Sequence, residues 1–362
     1  MILDPLAART DTGLQAPVQA IKENTMNNND TILLDHGAGG KLSHAMFSEL
    51  ILPLFDNGLL AKQDDGAVFE VPGGRMAFST DSYTVDPIFF PGGDIGKLAV
   101  NGTVNDVAMC GAIPLYISVG LIIEEGMKIH DLRRILQSMA RAAQKAGVRI
   151  VTGDTKVVPR GKVDKIFINT SGIGLVPAGV NVSGDRARPG DKVIVSGTIA
   201  DHGVAILSER EGLKFDSDVK SDSAPLNHMV KRVLESGSPV HVLRDPTRGG
   251  MGTTLNEIAV QSKVGIRLFE DRLPVRGPVR AICEIVGFDP LYLANEGKLI
   301  AMVPGADAGN VLDIIRRDEF GKDAVIVGEV TDQEPGRVVL ETLIGGTRVV
   351  DMHTGDQLPR IC

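Results

Sequence analysis

The chain contains no tryptophan, and its aromatic content is only 4%. It therefore lacks the aromatic platforms on which single-stranded nucleic acid stacks. Basic residues are outnumbered: 38 Lys and Arg face 46 Asp and Glu, a net charge of −8. With no long basic run, neither nucleic acid nor an anionic membrane is an expected partner. Only 3 cysteines occur in 362 residues, which excludes a disulfide scaffold and fits a reducing, cytoplasmic location. No run of about 18 apolar residues is present to span a bilayer. The start, Met1-Ile-Leu-Asp-Pro, lacks the basic and apolar regions of a secretory signal. The 7 histidines are scattered, with no two at zinc-ligand spacing.

What the chain has in excess is glycine, 42 residues, or about 12% against roughly 7% in average usage. That excess predicts tight turns and close backbone approaches. The apolar (43%) and charged (23%) fractions are those of a globular protein, and the length calls for two domains. Residues 1–30 are polar and aperiodic and read as a disordered leader, with Met26 an alternative start.

Strands are predicted over Arg75–Thr80, Leu115–Ile123, Val148–Val151 and Lys165–Val176. A helix runs over Ile95–Cys110, capped by Asp94. A second, from Ile129 to Ala143, is closed by Gly147. The Gly-, Pro- and charge-rich stretch Asn181–Asp191 is the expected domain boundary. It separates an N-terminal domain, 31–180, from a C-terminal domain, 190–345. The latter opens with the strand Lys192–Ser196, and helices follow over Ala224–Glu235, Gly250–Ser262, Val279–Val286 and Ala308–Arg317. Residues 346–362 read as a flexible tail.

Four groups of residues carry chemistry. His36-Gly-Ala-Gly39-Gly-Lys41 offers backbone N–H groups and one charge to an anion; a purely structural turn remains the alternative. Asp64-Asp65, Asp81, Asp106 beside Asn105, and Asp154-Thr155-Lys156 place carboxylates at strand ends and on one helix. Magnesium uses few carboxylates and completes its octahedron with water and phosphate oxygens, so this distribution suits a metal–nucleotide site. On the helix, Ala99, Thr103, Asp106 and Cys110 share a face of small or polar residues, where a carboxylate needs a partner. In the second half, Asp201-His-Gly203, Arg244–Gly250 and Asn295-Glu296-Gly-Lys298 are polar loops at helix or strand starts. The fourth feature is Cys362, the last residue. The 12 residues from Asp351 reach roughly 40 Å when extended, so a terminal thiol can visit more than one site, and its thiolate is a nucleophile. Cys110 and Cys283, in apolar or small-residue helical contexts, are expected to be inert core thiols.

Together these residues resemble the HypE family of hydrogenase maturation proteins, the carbamoyl dehydratases of NiFe-hydrogenase cyanide-ligand synthesis. The match runs through His36–Lys41, Ser79–Pro87, Phe89–Lys97, Asn105–Ala112, Thr152–Val158, Asp201–Gly203, Arg244–Gly250, Asn295–Leu299 and the terminal Pro359-Arg-Ile-Cys362. Residues 1–25 have no counterpart, and position 102 reads as free to vary. The resemblance implies an α/β (α+β), two-domain PurM-like fold of the aminoimidazole ribonucleotide synthetase and selenophosphate synthetase superfamily. Its N-terminal sheet domain dimerises and its C-terminal domain is ferredoxin-like. It also implies ATP and Mg2+ as cofactors, held by Lys41, Gly39, Asp64, Asp65, Asp81, Asn105, Asp106, Asp154 and Thr155. Asp65, Asp81, Asp106 and Asp154 are the implied metal ligands, Asp106 foremost. Cys362 would carry a carboxamide that ATP-dependent dehydration turns into a thiocyanate, with Lys156 and Glu296 taking the protons. Implied partners are a second copy, the carbamoyltransferase HypF and an iron-carrying HypC–HypD complex. Rival readings are a small-molecule synthetase of the same superfamily, although its reactive N-terminal-loop residue is missing here, and a non-catalytic carbamoyl carrier.

Overall fold

Alternation of side chains across its strands gives the N-terminal sheet two unlike faces. The structure is a computed structural model that describes residues 31–33, 46–55, 57, 73–212, 218–351 and 360–362. The sheet contains β1 (Arg75–Tyr83), β4 (Ile113–Glu124), β5 (Arg149–Val158) and β6 (Ile166–Val176) in the order β1-β6-β4-β5. β4 and β5 are parallel; the other pairs are antiparallel. The short β2 (Phe89–Phe90) and β3 (Gly93–Asp94) pair with each other.

Helices α1 (Ile95–Met109) and α2 (Ile129–Ala146) pack together, and α1 lies against the inner face of the sheet. The Asp94 carboxylate caps α1 as expected, accepting from the Gly96 and Lys97 N–H groups at 2.9 and 3.0 Å. Gly147 closes α2 in the left-handed conformation, φ 72°. α2 has one apolar face, whereas α1 is buried nearly all round, as a helix between two layers must be. Its Leu98, Val100 and Val104 are fully buried, each stabilising the fold by about 1.5–3 kcal/mol. Position 102 proves constrained: a Cβ on Gly102 would stand 2.2 Å from the hydroxyl of buried Tyr83. In this chain the tyrosine fills the space that a larger residue would use.

The C-terminal domain is built on β7 (Asp191–Val195), β8 (Val242–Arg244), β9 (Gly265–Phe269), β10 (Ile300–Pro304), β11 (Val325–Thr331), β12 (Val338–Glu341) and β13 (Thr347–Val350). Their order is β13-β12-β9-β11-β7-β10-β8, with β12 and β9 the parallel pair. Around this sheet lie α3 (Asp201–Arg210), α4 (Asn227–Glu235), α5 (Gly250–Ser262), α6 (Gly277–Val286) and α7 (Ala308–Arg316). α1 touches both α4 and β8, so it is also the seam between the domains.

Four expectations change. β1 continues to Tyr83 and β5 to Val158, because pairing with β6 and β4 persists that far; Asp81 and Asp154 therefore sit within strands, not at their ends. Thr347–Val350 pair with β12, so those residues belong to the sheet and not to a tail. Cys110 is exposed, because α1 ends at Met109 and the chain turns there; Cys283 is buried as expected. The terminal Arg360-Ile361-Cys362 is docked: Ile361 and Cys362 join the N-terminal core, 3% and 9% exposed.

Candidate active site

Pairing register decides which carboxylates can meet. Asp81 stands opposite Thr170, which is fully buried and bonds the Ala99 carbonyl of α1. Residues opposite one another share a face, so Asp81 lies on the inner face with Ser79. The Ser79 hydroxyl donates to Asp106 of α1 at 2.8 Å. Burial pushes the Asp106 carboxyl up to about 6, Asp81 adding to the rise while Ser79 and Arg244 oppose it. Across the seam, burial pushes Asp245 up to about 7, with Asp106 the next cause. These carboxyls stand within each other's field, and Arg244, itself paired with Glu257 at 2.5 Å, offsets only part of it.

Glu296 comes to the same seam from the loop before β10. Asn295 anchors that loop: its side-chain oxygen accepts from the Ala200 N–H at 2.8 Å, and its amide donates to the Pro246 carbonyl at 2.9 Å. One residue thus joins the starts of α3, α5 and β10. The next turn has no room for a side chain, since a Cβ on Gly297 would meet the Asp222 carbonyl at 1.9 Å. Asp222 accepts from the Glu296 N–H at 3.0 Å and pairs with buried Lys298 at 3.2 Å. Burial alone would raise the Asp222 carboxyl, but the Lys298 ammonium, helped by the Glu296 N–H, outweighs it and holds it low. Among the described residues Glu296 has no such cation. It is 3% exposed, its Oε1 has no hydrogen-bond partner among the described residues, and burial raises its carboxyl well above the ordinary range, with Asp222, Asp245, Asp81 and Asp106 adding to the rise.

The Cys362 thiol is delivered into this acidic seam. Burial pushes it up to about 12; Glu296 adds to the rise, and Arg248, whose guanidinium donates to Sγ at 3.4 Å, opposes it. A thiol so placed is a poor nucleophile while docked.

Asp154 and Lys156 are elsewhere. They stand opposite Gly120 and Ile122 of β4, on the open face of the sheet, ion-paired at 3.4 Å with side chains 69% and 66% exposed. Lys156 and Glu296, expected to work as a pair, are thus not brought together within one chain. Nor are all the expected metal ligands: Asp81 and Asp106 share the inner side and Asp154 is on the other. Thr155 is half-buried, facing the opposite way from its two neighbours. Asn105 is engaged structurally: its amide donates to the Ala224 carbonyl at 3.0 Å and its oxygen accepts from the Leu226 N–H at 2.8 Å. Gly39, Lys41, Asp64 and Asp65 lie outside the described residues.

Among the described residues no three His, Cys, Asp or Glu stand close enough to hold a metal ion alone. The charges of Asp81 and Asp245 nevertheless crowd the seam around Asp106, and a cation brought in with its own phosphate and water ligands would relieve that crowding. Sequence reading missed Asp222, Asp245 and Arg248. Asp245 and Arg248 sit in the Arg244–Gly250 loop that it did single out; Asp222 carries no sequence signal.

Residues 63–176 match the AIR synthase related protein N-terminal domain, and residues 188–341 the corresponding C-terminal domain. The carbamoyl dehydratase HypE of Azotobacter vinelandii is 52% identical over 334 residues, which cover 92% of this chain and 98% of that protein. A crystal structure of hydrogenase maturation protein HypE in complex with ATP superposes with a TM-score of 0.89 at 53% identity, covering 92% of this chain and 100% of that one. A HypE–HypF complex gives 0.75 at 50% identity, covering 85% and 99%. Among the described residues no helix is long and apolar enough to cross a membrane. At this identity and coverage the chain belongs to the HypE family of carbamoyl dehydratases, built on the two-domain AIR synthase related fold.

Proposed function

We propose that the chain uses ATP to dehydrate a carboxamide carried on its own Cys362 sulfur, producing the thiocyanate that supplies cyanide to a hydrogenase iron. The observation that carries this reading is the docking of the terminal thiol beside Glu296, a buried carboxyl with an unpartnered oxygen. ATP use is supported by the ATP complex of a relative 53% identical, and HypF as the source of the carbamoyl group by the HypE–HypF complex.

The chemistry follows from the atoms. The sulfur-bound –C(=O)NH2 has an oxygen that is a poor leaving group. The γ-phosphoryl group of ATP makes that oxygen part of a departing phosphate. The C–O bond breaks as the two N–H protons leave, one to Glu296 and the other to the departing phosphate, and the carbon–nitrogen triple bond forms. The sum is carboxamide and ATP going to thiocyanate, ADP and phosphate, with the oxygen in the phosphate. Glu296 is the base for the amide nitrogen. Once ionised, its Oε1, which has no hydrogen-bond partner among the described residues, can accept the N–H, and a raised pKa suits it to hold the proton afterwards. Asp81, Asp106 and Asp245 would hold magnesium, which would offset the triphosphate charge and relieve the crowding of carboxylates.

The open face of the N-terminal sheet supports a homodimer. Phe78 (69% exposed), Met76 (45%) and Ile122 (41%) lie there with Asp154 and Lys156. Apolar residues in that setting mark a contact surface, which a second copy would cover together with Asp154 and Lys156. The iron-carrying HypC–HypD complex is the acceptor that family membership implies for the cyanide.

The test is intact-protein mass spectrometry with peptide mapping after incubation with HypF, carbamoyl phosphate and MgATP. One carbamoyl group on the C-terminal peptide, followed by loss of one water, is the expected result. An adduct that never loses water, with HypF shown competent, would make the chain a carrier; no adduct on Cys362 would return it to the small-molecule synthetases.

A further inference from the structure

The docked tail is held by side chains and backbone: Arg360 donates to the Thr84 carbonyl and pairs with Asp164 at 2.8 and 2.6 Å, Ile361 is buried in the core, and three successive carbonyls accept hydrogen bonds. The Arg360 carbonyl accepts from Arg210 Nη2 at 2.8 Å, the Ile361 carbonyl from His202 Nε2 at 2.8 Å, and the Cys362 carbonyl from the Thr84 N–H at 2.9 Å. His202 is fully buried, and its protonation pattern is fixed by a chain of donors. The Ser223 N–H donates to Ser221 Oγ at 3.2 Å, so the Ser221 hydrogen is free to point at His202 Nδ1, 2.8 Å away. Nδ1 therefore accepts and Nε2 carries the hydrogen. The opposite tautomer would set a ring lone pair against the Ile361 carbonyl. Phe90 packs edge-on against the ring at 5.7 Å, and the Ser221 N–H is anchored on the Pro91 carbonyl. The ring is thus locked in place, in tautomer and in orientation, and it meets the tail one residue before the reactive sulfur.

We infer that His202 is a positioning residue, a latch that reads the Ile361 carbonyl and thereby sets the Cys362 sulfur in register with the seam. This gives a role to Asp201-His-Gly203, the first turn of α3, which the reaction itself does not use. The latch is independent of side-chain identity at position 361, because it grips backbone. That the latched sulfur is the one dehydrated rests on the function proposed above; the latch itself does not.

The chain's three thiols make the test self-controlled: Cys110 is exposed, Cys283 is buried in the C-terminal domain, and Cys362 is buried only while docked. Alkylation of each is timed by peptide mass spectrometry in the parent, His202→Phe and His202→Gln, and single-turnover dehydration is timed on the carbamoylated forms. Loss of one buried hydrogen bond predicts about tenfold faster alkylation of Cys362 in His202→Phe, with Cys110 and Cys283 unchanged. Dehydration slows about tenfold or more, because the sulfur loses its register, while carbamoylation is not slowed. His202→Gln, whose amide N–H can stand in for Nε2, restores both. Cys362 alkylating at the parent rate with Cys283 still protected would overturn the latch. Faster alkylation with dehydration at the parent rate would overturn the positioning role. If Cys283 opens as well, the fold has been lost and the same readings are taken on Ser221→Ala, where a parent rate at Cys362 overturns the inference. If no form dehydrates, the parent included, the proposed function fails while the alkylation rates still decide the latch.

Discussion

The two faces of the N-terminal sheet carry similar residues into opposite situations. On the inner side, Asp81 and Asp106 join Asp245 and Glu296 in a seam where burial raises Asp106 to about 6, Asp245 to about 7 and Glu296 well above its ordinary value. On the open side, Asp154 and Lys156 pair in water with most of their surface exposed, an arrangement worth less than about 1 kcal/mol. Desolvation makes the difference. A carboxylate in the seam needs a cation or a proton, whereas one on the open face needs neither. Under the proposed function the inner face carries the chemistry, and the open face, where water screens each charge, is left for a partner to cover.

The sharpest break of this contrast is at the sulfur. Cys362→Ser should abolish thiocyanate formation completely, checked by the mass of the C-terminal peptide after incubation with HypF, carbamoyl phosphate and MgATP. Glu296→Gln keeps the shape of the buried side chain and removes the base. It should lower single-turnover dehydration by about 10²–10⁴-fold while leaving carbamoylation of Cys362 intact. If dehydration persists near the parent rate, the proton goes elsewhere.

Asp106→Asn tests the electrostatics of the seam, with a sign that can be worked out. Asp106 and Asp245 hold protons more tightly folded than unfolded, where carboxyls titrate near about 3.9. Their contribution to stability is complete below about pH 4 and is lost as pH rises through about 6 and 7. Without divalent cations, thermal midpoints should therefore be lower at pH 8 than at pH 5. Asp106→Asn should shrink that difference, and magnesium should raise the midpoint more at pH 8. An unchanged difference in the variant would remove Asp106 from the account.

On the open face, Phe78→Asp should turn a dimer into a monomer in light scattering and slow dehydration without touching the seam; a parent-like molar mass would show that nothing of this chain covers Phe78. The smallest effect is expected at Gly102→Ala, which should destabilise the fold by about 1–3 kcal/mol in denaturant titration because its Cβ meets the Tyr83 hydroxyl. Tyr83→Phe in the same chain should recover part of that loss.

Much of this architecture was legible in residue patterns. The apolar spacing of Ile129–Ala143, the Asp94 cap and the Gly147 stop each predict local structure, and each is a local effect. The motifs around Asp106, Glu296 and Cys362 were joined into one site by the family resemblance; by itself the Asn295–Lys298 stretch reads as an ordinary polar loop. What could not be read was long-range register. Whether Asp81 and Asp154 share a face depends on Asp81 pairing with Thr170 and on Asp154 pairing with Gly120, and no local signal encodes that. Asp222 was invisible for the same reason: it matters only because the Glu296–Lys298 turn lands on it. The resting place of the tail was equally hidden, since its bonds to His202 and Arg210 are made by carbonyls that every residue possesses and the Arg360–Asp164 pair joins residues 196 positions apart.

The central claim is that the carboxamide oxygen leaves as phosphate from the sulfur docked in this seam. It is tested most directly by loading Cys362 with a carbamoyl group labelled with heavy oxygen and following one turnover with unlabelled ATP. The account predicts one labelled oxygen in the inorganic phosphate released and none in water. Label recovered in water, with the phosphate unlabelled, would contradict it.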